Sequence, residues 1–160
     1  MRALVAALLV AAGVAVPAGA AAPPVHIPGA GSLTAQATPS RAGARPAQLQ
    51  LSVRAELQCG RVGPAPIVVT LPAAERLPGA LAAASVRVNG AAPTRVVVRG
   101  KVVTISPPVQ PKIICDVIGP GTIKVVFMPA ARLGNPVRAG AYRVTMHARG
   151  ETASGSFAVS

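Results

Sequence analysis

From Ala47 onward the chain is written in alternations. Leu49, Leu51, Val53, Ala55 and Leu57 alternate with Gln50, Ser52, Arg54, Glu56 and Gln58. A period of two sustained this long predicts a strand with one buried face. Ile67–Leu71, a short apolar run between Pro66 and Pro72, predicts a second strand. Ala73–Ala84 is rich in Ala and Leu but split by Pro78-Gly79, and supports a short helical turn at most. Ser85–Val88 predicts a strand ended by Asn89-Gly90, a pair that accepts the positive φ of a tight turn. Arg95–Arg99 and Lys101–Ile105 predict a hairpin about Gly100. Ile113-Ile114-Cys115 is expected to be a short edge segment. Thr122–Phe127 places Ile123, Val125 and Phe127 on one face. Beyond the loop Pro129–Gly140, Tyr142, Val144 and Met146 alternate with Arg143, Thr145 and His147, and a last strand falls near Ser154–Val159.

About 7–9 short strands separated by turns predict an all-β sandwich. A closed barrel is the rival architecture. No repeat of fixed period is visible.

The chain before Ala47 reads differently. Met1-Arg2, the uncharged run Ala3–Val16 and the small residues Pro17–Ala22 have the form of a signal peptide. Cleavage is expected after Ala20 or Ala22. Residues 23–46, rich in Ala, Pro, Gly, Ser and Thr, are expected to be a flexible linker, because isolated Ile27 and Leu33 cannot bury enough surface to fold alone. The organisation expected is therefore a signal peptide (1–22), a linker (23–46) and a β-sandwich domain (47–160). The leader implies export, to an extracellular, periplasmic or surface-associated location.

One stretch is similar to a known type of module. Val86-Arg87-Val88-Asn89-Gly90 is followed by Arg99-Gly100-Lys101-Val102-Val103-Thr104-Ile105, then Gly121–Phe127, then Asn135–Val144. These segments resemble the immunoglobulin-like β-sandwich modules of bacterial surface and secreted proteins. The resemblance spans roughly Ile67 to Met146 and implies a spacer or adhesion role without catalysis. Gly140-x-Tyr142 resembles the tyrosine corner of such folds, in which the phenol bonds a nearby backbone group. Val144 stands where antibody domains place the second cysteine, so the antibody core pin is missing.

Composition narrows the core and raises a charge question. The chain is 51% hydrophobic but 2% aromatic, so its core must be aliphatic. Its net charge of +12 comes from 16 Lys+Arg against 4 Asp+Glu. Such a balance fits docking on an anionic cell-envelope polymer or membrane headgroups. Arg87, Lys124, Arg143 and Arg149 occupy outward positions and are the candidate polyanion-binding residues. Whether they form one patch depends on strand order. Specific nucleic-acid binding is disfavoured, because aromatic partners for base stacking are nearly absent. Another surface protein is the remaining class of partner.

Cys59 and Cys115 are the only cysteines. In an exported chain an even count predicts a disulfide. Closing a loop of about 56 residues contributes roughly 4 kcal/mol on the chain-entropy account. Enzymatic readings find little support. The carboxylates are Glu56, Glu75, Asp116 and Glu151, with no pair set for acid/base work. No nucleophile elbow accompanies His147 and Asp116. No catalytic residue, cofactor or metal is expected, and the function predicted is structural or binding.

Overall fold

The computed structural model describes residues 32–109 and 118–160. Nine strands run through them: β1 (Thr34–Thr38), β2 (Gln48–Gln58), β3 (Ile67–Thr70), β4 (Val86–Val88), β5 (Arg95–Arg99), β6 (Val102–Ser106), β7 (Ile118–Phe127), β8 (Gly140–Ala148) and β9 (Glu151–Val159). They form two antiparallel sheets, ordered β1-β2-β7-β4 and β5-β6-β3-β8-β9. The sheets enclose one mainly aliphatic core in which Leu51, Ile67, Val86, Ile105, Val125, Phe127 and Val144 are fully buried. The fold is the β-sandwich that the alternations predict.

Alternation explains each strand's orientation. On β2, Leu49, Leu51, Val53 and Leu57 face inward; on β7, Ile123, Val125 and Phe127 do the same. β7 begins at Ile118, earlier than Thr122. The register Leu57↔Gly119 through Val53↔Ile123 shows why: the long regular β2 pairs with the irregular Gly119-Pro120-Gly121 stretch. Gly121 is needed there, because a Cβ would come within 2.5 Å of the Leu57 side chain. Ala73–Ala84 forms no α-helix; only a 3-10 turn at Ala83–Ser85 appears. The expected edge segment Ile113–Cys115 lies outside the described residues, as does the leader.

Residues 32–46 are not a flexible linker. β1 pairs with β2 from Thr34↔Ser52 to Thr38↔Gln48, and Leu33, Ala37 and Ala44 are buried. The reason is tertiary. The inward residues of β1 are alanines, too small to announce a strand, but β2 offers a ready edge. The same segment runs along β9: Leu33 N–H donates to Ser154 O at 3.3 Å, Ser160 N–H to Ser40 O at 2.8 Å and Ala42 N–H to Ser160 O at 2.7 Å. Asn135, fully buried, donates its Nδ2 to Pro39 O at 2.7 Å and Arg41 O at 3.0 Å. It pins the β7–β8 loop to this segment.

Among the described residues, three of the four sheet edges are thus closed. β1 and β9 lie against each other at one side. β4 is closed by its own continuation, since Val88 and Ala91 exchange backbone hydrogen bonds at 2.8 and 3.1 Å. The turn between them is Asn89-Gly90, with φ of 47° and 86°. Cys59-Gly60 and Arg149-Gly150 repeat this doubly positive pattern. Two-residue turns of that kind match the twist of paired strands.

Candidate functional site

Strand order decides the charge question. Arg87 on β4 stands opposite Val126 of β7, and Lys124 lies two residues along β7 on the same outer face. Ser52 of β2 pairs with Lys124, and Arg54 lies two residues beyond it. Arg54, Lys124 and Arg87 therefore form a diagonal over three neighbouring strands, each step about 7–8 Å. Glu56 follows Arg54 on that face. The other two candidates lie elsewhere. Arg143 projects from the outer face of the second sheet, where its Nη2 donates to Ser154 Oγ at 3.1 Å. Arg149 sits in the β8–β9 turn with φ 53°. Strand order thus answers what the sequence leaves open: Arg87 and Lys124 share the outer face of one sheet, while Arg143 and Arg149 belong to the other.

The cations of the diagonal are not equivalent. The Arg87 guanidinium donates to Ala84 O at 2.7 Å and to Val86 O at 3.0 Å. It is held down on its own strand. Lys124 carries its backbone clamp separately: its N–H donates to Asn89 Oδ1 at 2.7 Å, and its carbonyl accepts from Asn89 N–H at 2.9 Å. Its ammonium is left exposed, as is the Arg54 side chain. Arg54 was concealed in the sequence among the ordinary outward positions of β2. Its alternation was legible; its neighbours were not.

Tyr142 donates its phenol to Arg138 O at 2.7 Å, the short-range backbone bond expected of it. Its ring meets Phe157 of β9 at 6.1 Å between centroids. His147 is on the outer face, with Nδ1 2.9 Å from Thr152 Oγ1.

Cys59 ends β2 in a left-handed conformation and is not a free thiol. Its expected partner, Cys115, lies outside the described residues. Thiol titration of the unreduced, exported protein is expected to find no free sulfhydryl. Cys115→Ser is expected to lower the melting temperature by about 10 °C, from the loss of roughly 3–4 kcal/mol. Two titratable thiols in the wild type would refute the bond.

Comparison with known proteins adds a general likeness. No family model matches the chain, and no curated protein does. Among solved structures, it is similar to BslA, a bacterial hydrophobin, with a TM-score of 0.49 and 21% identity over 81% of this chain and 97% of that one. It is also similar to the N-terminal domain of the Streptococcus gordonii adhesin Sgo0707, with a TM-score of 0.44 and 12% identity. That match covers 81% of this chain and 32% of the adhesin chain.

Among the described residues the carboxylates do not converge. Glu56 is on the outer face of β2, Glu151 opens β9, and Asp116 lies outside the described residues. Glu75 is 1% exposed, and its Oε2 has no hydrogen-bond partner. Burial pushes its carboxyl up to about 7, against the opposing pull of the Lys101 charge. Lys101 donates its Nζ to the Glu75 backbone carbonyl rather than to the carboxyl. In the sequence Glu75 is one acid among four, and no local pattern signals its burial.

Proposed function

We propose that this chain is an exported, non-catalytic β-sandwich with a structural or binding role at the cell surface. The observation that carries the reading is the closure of the sandwich by its own chain. The segment from Leu33 to Ala42 is stapled along β9 and onto Asn135, so that side of the sandwich is closed by the chain itself. An immunoglobulin-like kinship is the finer form of this reading, supported by the Tyr142 bond to Arg138 and the Asn89-Gly90 turn. The test is native export. Intact-mass measurement is expected to show loss of about 20–22 residues, with the protein in the medium or envelope fraction. Full-length protein held in the cytoplasmic membrane would overturn the reading.

A second reading, docking on an anionic envelope polymer, draws on the Arg54–Lys124–Arg87 diagonal. Charge-driven docking weakens as salt rises. Arg54→Gln/Lys124→Gln is expected to elute from a heparin column at lower salt than the wild type, and Arg143→Gln nearly with it. Equal shifts for both variants would show diffuse attraction with no focused face.

A further inference from the structure

The fourth sheet edge is the exception to closure. β5 ends the five-stranded sheet, and its strand partner among the described residues is β6, in the register Arg95↔Ser106 to Arg99↔Val102. Among the described residues, no other backbone hydrogen bond reaches it. The strand is Arg95-Val96-Val97-Val98-Arg99, regular along its length, with no proline. Val96 and Val98 pack against the core. Alternation therefore turns Arg95, Val97 and Arg99 to the outer face, where both arginines are exposed. Among the described residues, neither guanidinium has a hydrogen-bond or ion-pair partner.

An unpaired, regular, valine-rich edge is a template for another strand. Its charges select which one. A second copy pairing antiparallel over all five residues would set Arg95 opposite Arg99 twice. Like charges directly opposite oppose pairing, and opposite charges favour it. Few carboxylates of this chain are available to neutralise the pair. We propose that the β5 edge is a docking site for an extended acidic segment of a partner protein, which adds a sixth strand. Its outward face would carry an acid, an apolar residue and an acid at alternate positions, matching Arg95, Val97 and Arg99. Main-chain bonds would supply the attachment and the two arginines the choice of partner. The proposal rests on the reading of the chain as a surface binding module, but export does not depend on β5, so fractionation tests that reading separately.

The experiment uses the exported protein and labelled peptides in about 150 mM salt, where loose attraction is screened. The probes are Ser-Glu-Thr-Val-Thr-Glu-Ser and its counterpart Ser-Lys-Thr-Val-Thr-Lys-Ser, followed by fluorescence anisotropy. The acidic peptide is expected to bind at least about tenfold more tightly. Arg95→Glu/Arg99→Glu is expected to invert that preference. Should that variant not fold, Arg95→Gln/Arg99→Gln is expected to weaken the acidic peptide without gaining the basic one. N-methylation of alternate peptide amides is expected to abolish binding, because it removes the donors of an added strand. Equal binding by the N-methylated peptide, an unchanged preference in the variants, or no binding by the acidic peptide would each overturn the proposal. So would a wild-type dimer in sedimentation, which would assign the edge to a second copy.

Discussion

Gly155→Ala is expected to lower the melting temperature of the domain by about 10 °C. At Gly155 a Cβ would stand 1.9 Å from the Leu33 carbonyl oxygen and 2.9 Å from its carbonyl carbon. These are backbone atoms, so no rotamer change can relieve the contact. Either β9 or the Leu33 segment must move. Movement breaks the Leu33–Ser154 hydrogen bond and unseats Leu33, which is 4% exposed in the core. Overpacking and the lost clamp together cost roughly 3 kcal/mol, which converts to about that shift for a domain of this size. Gly79→Ala is the control. Nothing lies within 4 Å of the Cβ there and φ is not left-handed, so its effect is expected within about 0.5 kcal/mol. The two are compared by thermal denaturation of the exported protein. A Gly155→Ala melting temperature within about 2 °C of wild type would show that the N-terminal segment does not clamp β9.

The same clamp shows where sequence reading stops. β2 and β8 were legible because apolar residues alternate with polar ones along each, β3 as a short apolar run between prolines, and the β5–β6 hairpin as two valine-rich runs about Gly100. β1 was not. Its inward residues Ala35 and Ala37 give too little hydrophobic contrast, and its strand exists because β2 and β9 offer edges on either side. Pairings between distant strands have no local signature. Nothing in the sequence around Arg54, Lys124 or Arg87 says that β2, β7 and β4 are neighbours, and nothing around Arg143 says that it belongs to the other sheet. The open edge of β5 was hidden for the same reason. Its residues were readable as a hairpin strand, but its place at the end of a sheet was not.

Glu75 is the other feature that only the fold reveals, and it is expected to give the domain a pH-dependent stability. Locally Glu75 lies in the Ala/Leu-rich stretch Ala73–Ala84, which supports a short helical turn at most. In the structure Leu71 N–H donates to Lys101 O at 2.9 Å, and Arg76 and Gly134 exchange backbone hydrogen bonds at 2.8 and 2.9 Å. These contacts draw the segment down and bury the glutamate. Burial raises its folded-state pKa from 4.5 to about 7, with the Lys101 charge acting against the rise. The protonated carboxyl is the form the fold accommodates. Its contribution is fully present below about pH 4.5 and is lost as pH rises through about 7. A shift of this size corresponds to about 3 kcal/mol between those limits. Denaturant unfolding across pH 4.5 to 8 is expected to show stability falling with rising pH. Glu75→Gln keeps the shape and removes the ionisation. It is expected to flatten the profile, matching the wild type near pH 5 and exceeding it by roughly 2–3 kcal/mol at pH 8. A wild-type profile that is already flat, or one that Glu75→Gln leaves unchanged, would locate the proton elsewhere.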